Sequence, residues 1–393
     1  MQHDFSFVDR SGTGSVKWAF APKAVKEAGV MPFTVADMEF RTAPEIIHAA
    51  CTAAKHGVFG YTMADEAYLD AFKGYMEKIH GAKIETEWTV ITPGVVSALF
   101  IAVRALTQPG DGVIIQPPVY PPFTGAVVKN GRELLLNPLV NNNGRYEMDY
   151  EGLEALAKQP NTKLMILCSP HNPVGRVWTS EELARVGRIC RENGVAVVSD
   201  EIHADVTYNG HAHTLFFEAA PECRESCIVC TALSKTFNIA GLNCSNILIP
   251  GEEMRKVFIH QKEVDCVGEM NYFAYGASIA AFNSDSSWMN AMLAQTWKNF
   301  EILRDFFHEN FPSAVVYEPE GTYLAWIDLN GWNLTEDELT AFLVEKALFA
   351  VNRGSTFGRQ GSGFVRFNLA SPEAEVRAGL ERLKTAAQAA GLR

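Results

Sequence analysis

The stretch that decides the fold is Lys163–His203, KLMILCSPHNPVGRVWTSEELARVGRICRENGVAVVSDEIH. It opens on an apolar run, Lys163–Cys168, which is too short for a helix and reads as a buried strand. A polar loop with an Asn172-Pro173 turn signal follows. Ser180–Asn193 then reads as a helix. Thr179 or Ser180 stands before Glu181 and Glu182 at its start, and Gly194 marks its stop. Val195–Ser199 is a second short apolar run. Strand, helix and strand in this order build a parallel sheet with helices on its faces.

The alternation extends in both directions. Val113–Gln116, Leu134–Asn137 and Ile228–Thr231 read as further strands, and Val95–Leu106 and Asp149–Lys158 as helices. The C-terminal part reads differently. Ala291–Phe307, Glu336–Ala347 and Pro372–Ala389 have helical patterns, and Tyr323–Leu329 and Phe364–Asn368 read as strands. The pattern predicts an α/β fold with a mostly parallel sheet in a large domain, 46–285. A smaller α+β domain, 286–393, follows, with the boundary near Asn283–Trp297. The N-terminal segment, 1–45, is expected to pack with the small domain.

Composition narrows the function. The 393 residues are 47% hydrophobic and 20% charged, the balance of an ordinary globular chain. Lys and Arg number 34 against 46 Asp and Glu, a net charge of −12. That sign repels phosphate backbones and anionic membranes, so neither nucleic acid nor a membrane is an expected partner. The most apolar run, Gly94–Leu106, carries Arg104 and is too short to cross a bilayer. Met1–Arg10 carries Asp4 and Asp9 and lacks the apolar centre of a signal peptide. The 8 cysteines include Cys168 and Cys230 inside apolar runs. They read as buried small side chains in a reducing cytoplasm, not as a disulfide framework.

In open α/β sheets, ligands bind where the strands end. Tyr120 follows the run Val113–Gln116, Asn172 follows Lys163–Cys168, Asp200 and His203 follow Val195–Ser199, and Ser234 and Lys235 follow Ile228–Thr231. One chemistry needs a phenol, an amide, a carboxylate and an amine together. Pyridoxal 5'-phosphate (PLP) takes a Lys for a Schiff base, an Asp against its pyridinium nitrogen, an aromatic ring on its face and an amide on its phenolic oxygen. Its phosphate needs backbone donors at a helix N-terminus, and Gly94-Val95-Val96 opens such a helix.

These residues resemble a known family. Val35-Ala36-Asp37-Met38-Glu39-Phe40, Phe59-Gly60-Tyr61-Thr62, His171-Asn172-Pro173-Val174-Gly175-Arg176, Ser199–Asp205, Ser234–Leu242, Pro319–Trp326 and Arg366–Ala370 are similar to fold-type-I PLP enzymes of the class I/II aminotransferase superfamily. The Ala-Asp-Met and Asp-Glu-Ile-His segments resemble its cystathionine β-lyase and C–S lyase branch. The resemblance implies a homodimer with these roles. Lys235 carries the cofactor and moves the Cα proton, Asp200 pairs with the pyridinium, and Tyr120 stacks on the ring. Asn172 and His203 face the phenolic oxygen. Gly94, Val95, Val96 and Ser234 hold the phosphate, with Tyr61 reaching it from the other subunit. Arg366, with Asn172 and Tyr61, receives an amino-acid substrate. Asn243 stands where many aminotransferases have an Arg against the phosphate, a departure that the C–S lyase branch shares.

The implied reaction is β-elimination from cystathionine, cystine or a related β-thio amino acid. The alternative is transamination, which begins with the same proton transfer. Two other patterns compete for attention. Cys223, Cys227 and Cys230 have an iron–sulfur-like spacing, but the last two would point to opposite faces of a strand. His203, Asp205, His211 and His213 could be read as a metal group, yet Tyr208-Asn209-Gly210 suggests a hairpin with surface histidines. No metal is expected. Trp288 and Trp297 read as helix packing.

Overall fold

Lys163–Cys168 lies at the heart of a seven-stranded sheet. The computed structural model describes residues 3–393. Its strands are β1 (Thr89–Thr92), β2 (Gly112–Ile115), β3 (Glu133–Leu136), β4 (Val140–Asn142), β5 (Arg145–Glu147), β6 (Thr162–Cys168) and β7 (Ala196–Asp200). They continue with β8 (Cys227–Thr231), β9 (Ser245–Leu248), β10 (Val315–Tyr317), β11 (Leu324–Asp328), β12 (Asn352–Arg353) and β13 (Phe364–Asn368). The large sheet has the order β1-β9-β8-β7-β6-β2-β3. From β8 to β3 every pairing is parallel. β9 runs antiparallel to both β8 and β1. The sheet is therefore mostly parallel, as the pattern predicts, with an antiparallel edge that it did not flag. β1 and β9 have only four residues each, and Ser245-Asn246 makes the start of β9 polar.

Alternation along β6 sends side chains to two faces. Leu164, Ile166 and Cys168 join one apolar cluster, and Met165 and Leu167 join the other. Helix Val95–Leu106 covers the first face through Ala98, Leu99 and Ala102. Helix Ser180–Glu192 covers the second through Leu183 and Val186. Only Lys163 of β6 is exposed. Burying an aliphatic side chain of this size contributes about 2 kcal/mol, so this strand anchors the layer. The start of the covering helix is a capping box. The Thr179 hydroxyl accepts from the Glu182 amide, and the Glu182 carboxylate accepts from the Thr179 amide.

The small sheet has the order β10-β11-β13-β12 and is antiparallel throughout. Helix Ser287–Asn310 buries Phe300, Leu303 and Phe307, and helix Glu373–Ala390 buries Val376, Leu380 and Leu383 in the same core. The predicted helix Glu336–Ala347 differs. It is α-helical only to Ala341 and then widens into a π-helical turn, Phe342–Lys346, where the Ala347 amide donates to the Phe342 carbonyl. The wider turn buries Phe342, Leu343 and Ala347 together.

Residues near the N-terminus touch both sheets' segments. Phe33 stacks on Phe367, with centroids 4.5 Å apart, and the Asn368 side-chain amide donates to the Val35 and Asp37 carbonyls. Asn238 donates to the Met38 and Phe40 carbonyls. The loop Asp37–Glu39 is held further by buried charges. Lys17 bonds the Asp37 and Glu39 carboxylates at 2.9 Å, and Arg10 reaches both.

The competing patterns resolve as packing. Cys227 and Cys230 point to opposite faces of β8 and join different clusters, while Cys223 sits under Gly187. Trp288 stacks on Phe237, and Trp297 packs on Tyr208 and Phe300. Among the described residues no helix is long and apolar enough to cross a membrane.

Candidate active site

A cavity of about 320 Å³ opens at the carboxyl ends of β6, β7 and β8. Tyr120, Asn172, Asp200, His203, Ser234 and Lys235 all line it, as do Gly94, Val95 and Val96. A larger cleft of about 820 Å³ runs past His3, Arg41 and Trp288 and holds none of these groups. The smaller cavity is the one that gathers the chemically distinctive groups.

Each wall has a local cause. Asp200 is the last residue of β7 and is buried. Its carboxyl accepts from the Ile202 amide at 3.2 Å. Burial pushes it up to about 7, against the opposing pull of that amide and of Lys235. Lys235 follows the end of β8. Its Nζ donates to the Ala36 carbonyl at 2.5 Å. Burial lowers its pKa to about 8, and the charge of Asp37 is the largest influence that works against this. A lysine so placed is neutral often enough at neutral pH to act as a base.

His203 is buried, and burial followed by the charges of Lys235 and Arg366 drives its pKa well below the ordinary value. The ring is neutral, and its Nδ1 has no partner. Tyr120 is mostly buried, and burial raises its hydroxyl pKa, so it stays a phenol.

Arg366 rises from β13 of the small sheet and is buried. Its Nη1 donates to the Asn172 Oδ1 at 3.0 Å, and its Nη2 to the Asn352 Oδ1 at 2.7 Å. Its guanidinium lies 4.8 Å above the Phe357 ring centroid. Burial brings its pKa down to about 10, so it stays cationic. Among the described residues no carboxylate pairs with it, and its buried Nε has no partner. Its planar fork is held in place by the two amide oxygens, in the orientation that bidentate binding of a carboxylate uses.

The third wall is the N-terminus of helix Val95–Leu106. Gly94 caps it with φ +111°, a conformation that favours glycine. The free amides of the first turn and the Ser234 and Ser245 hydroxyl groups face one end of the cavity. The Ser245 Oγ is buried and unpartnered. Asn243 also stands there, so this end has no arginine.

Tyr61 is not in the cavity of this chain. It is fully exposed, beside Phe59, Met63 and Tyr272. The four residues of the metal reading do not converge. His203 faces the cavity, Asp205 is bonded by His80, and His213 by Glu201. His213 is buried, not a surface residue as the turn signal suggested, because Glu201 draws it inward. The sequence pattern also missed Asn352, Phe357 and Ser245, and the Ala36 carbonyl on Lys235. Ala36 lies in a segment that the resemblance had flagged. A backbone carbonyl and a two-residue strand carry no local signal.

Residues 28–383 match the family described as aminotransferase class I and II. The chain belongs to this family. Among its class I and II relatives, it is 40% identical to cystathionine beta-lyase PatB of Bacillus subtilis (strain 168), over 96% of this chain and 98% of that one. It is 33% identical to Protein MalY of Escherichia coli (strain K12), over 98% and 99% of the two chains. Its fold superimposes on cystalysin from Treponema denticola, which contains a PLP cofactor. The TM-score is 0.95, with 36% identity over 99% of this chain and 100% of that one. It also matches the PLP-bound C-S lyase from Staphylococcus hominis, with a TM-score of 0.90, 31% identity and 98% of each chain covered.

The described residues fit PLP on their own geometry. A buried carboxyl with a raised pKa gains from a cationic ring nitrogen beside it. The unpartnered Nδ1 of His203 and Oγ of Ser245 leave polar capacity for a ligand. The helix-end amides suit a phosphate.

Proposed function

We propose that this chain is a PLP-dependent carbon–sulfur β-lyase acting on cystathionine, cystine or related β-thio amino acids. One observation carries the reading. The cavity that gathers Lys235, Asp200 and Asn172, with Arg366 hydrogen-bonded to Asn172 beside it, belongs to a chain whose similarity to cystathionine beta-lyase PatB covers 96% of its length. The aminotransferase alternative uses the same groups and is less supported, because the aminotransferase relatives, such as aspartate aminotransferase of Pyrococcus horikoshii at 26% identity, are more distant than PatB at 40%.

When bound, PLP supplies an electron sink for the charge left on Cα after its proton departs. The chain's residues do the rest. The helix-end amides of Val95 and Val96, with Ser234, would hold the phosphate. The Asp200 carboxylate would keep a proton on the ring nitrogen, and Asn172 and His203 would supply polar contacts for the phenolic oxygen. Tyr120 would pack on the ring and limit water. Arg366 clamps the substrate α-carboxylate with its free Nε edge, which fixes the Cα–H bond toward Lys235. Lys235 takes that proton, and the thiolate leaves from Cβ. Hydrolysis of the remainder gives pyruvate and ammonia, and cystathionine gives homocysteine as the thiol.

The reading includes a homodimer. Val58, Phe59, Tyr61 and Met63 expose apolar surface next to Phe273, which a second copy would cover, bringing Tyr61 to the partner's phosphate site. It also places the enzyme in the cytoplasm, in the sulfur amino-acid metabolism that leads to methionine. The free state of all its cysteines supports a reducing compartment.

The test is thiol and pyruvate release from cystathionine and cystine by the PLP-loaded protein with no 2-oxo acid added. Release in equal amounts supports the lyase. Turnover that appears only with an added 2-oxo acid refutes it in favour of transamination.

A further inference from the structure

Behind the cavity lies a buried polar network that the chemistry above does not use. Asp205 stands five residues after Asp200, and its side chain is 7% exposed. It accepts hydrogen bonds from three directions. The Tyr75 hydroxyl donates to Oδ2 at 2.8 Å, the His80 Nε2 donates to Oδ1 at 2.8 Å, and the Thr236 hydroxyl donates to Oδ2. Tyr75 and His80 belong to one helix, Glu66–His80. Thr236 is the residue after Lys235.

A second pair faces the first. The His80 and His213 rings lie 6.0 Å apart, edge to face, and the His213 Nε2 bonds the Glu201 carboxylate at 2.7 Å. Glu201 is the residue after Asp200, and its other oxygen accepts from the Phe216 amide at 3.0 Å. So the chain neighbours of the two central cavity groups, Lys235 and Asp200, are each tied to a carboxylate–imidazole pair.

Around Lys235 the segment has other anchors as well: its Nζ rests on a carbonyl, the Phe237 amide donates to the Leu233 carbonyl, and the Asn238 side chain exchanges hydrogen bonds with Met38 and Phe40. The Thr236 hydroxyl on Asp205 is the side-chain bond closest to the Lys235 backbone. Burial would raise the Asp205 carboxyl, yet the bonds from His80, Thr236 and Tyr75 outweigh it and hold it below the ordinary value. Burial disfavours the His80 cation, but the hydrogen bond and charge of Asp205, with Glu201 and Glu218, outweigh it and raise its pKa above the ordinary value. A buried ion pair is weak as a source of stability and strong as a specifier of geometry.

We propose that Asp205 is a positioning residue. Held by Tyr75 and His80, it fixes the Lys235 backbone through the Thr236 hydroxyl and so sets where the amine meets the substrate Cα. The inference rests on the lyase reading only for what Lys235 does.

Hydrogen exchange read by mass spectrometry, on the full-length protein with and without PLP, tests the anchoring directly. In Asp205→Asn and Thr236→Val, exchange of the peptide spanning Ser234–Asn238 rises on the order of 10-fold, while β6 keeps wild-type protection. Thr236→Ser, which keeps the hydroxyl, exchanges as wild type. With PLP and cystathionine, the first two variants lose kcat on the order of 100-fold, as a displacement of about 1 Å at reacting groups costs. Their KM stays within about threefold of wild type. The double variant is no worse than the worse single one, because both break one bond. The near-isosteric Thr236→Val carries the test if Asp205→Asn fails to fold. Unchanged exchange and kcat in Thr236→Val overturn the proposal, and so does Thr236→Ser behaving like Thr236→Val. If the exchange pattern appears but wild type releases no thiol, the lyase reading falls and the anchoring stands.

Discussion

Replacing Asp200 by Asn removes a carboxyl whose ionisation burial opposes. In the folded chain burial pushes Asp200 up to about 7, whereas in the unfolded chain it ionises near about 4. Between about pH 5 and pH 7, the native state holds a proton that the unfolded state has lost. Stability therefore falls as pH rises, by about 1.4 kcal/mol per pH unit. Across that window the loss is about 3 kcal/mol. Above the native value the loss is complete and the curve flattens. Asn cannot ionise, so its curve lacks this fall. The stability of Asp200→Asn relative to wild type should thus improve by about 3 kcal/mol from about pH 5 to pH 8, both proteins being free of PLP. Bound PLP should reverse the order. Its cationic ring nitrogen lowers the Asp200 carboxyl, so wild type gains more from the cofactor than the variant does. Urea unfolding at four pH values, with and without PLP, measures both effects. Parallel stability curves for the two cofactor-free proteins would refute the burial argument. Equal stabilisation by PLP would refute the pairing.

Three further outcomes follow from the same geometry. Lys235→Ala should still bind PLP but lose the borohydride-fixed mass increment, with cystathionine turnover down on the order of 10⁴-fold. Arg366→Lys keeps the charge but loses the planar fork held between Asn172 and Asn352, so kcat/KM should fall on the order of 100-fold, mainly through KM. Arg176→Ala removes a buried cation that joins Glu182 at 3.0 Å to Glu320 at 2.7 Å, and urea unfolding should show a loss of about 3 kcal/mol.

Most of the cavity was legible because its groups stand at strand ends, where a short apolar run stops and a chemically distinctive residue follows. Asp200 and Lys235 needed only that rule and the residue types that PLP demands. Arg366 needed the family resemblance, since it sits inside a strand that gives no sign of what it faces. The antiparallel edge was not legible, because Thr89–Thr92 and Ser245–Leu248 are too short and too polar to stand out. The π-helical turn at Phe342–Lys346 was hidden for another reason. Its apolar residues satisfy an ordinary helical pattern, and only packing shows the extra residue. His213 was misread because a Tyr-Asn-Gly turn normally lies at a surface, whereas here the buried Glu201 lies within reach. The Asp205 network joins residues as far as 130 positions apart, and no local pattern encodes such a meeting.

The Ala36 carbonyl has a consequence for how the enzyme is made. It accepts from Lys235, 199 residues away, and from the Tyr323 hydroxyl, 287 residues away. The loop that presents it is tied to Asn368, 331 residues beyond Asp37. A ribosome delivers these segments at widely separated times. The first forty residues emerge early, pair among themselves through Lys17, Arg10, Asp37 and Glu39, and meet Asn238 and then Asn368 only as those segments follow. Contacts so distant in sequence are slow to close. The lysine's own strand matures well before the loop that receives its amine is locked. A chain released short of Asn368 would then keep its large sheet and its lysine, and lack the last tie that gives the lysine a fixed place to rest.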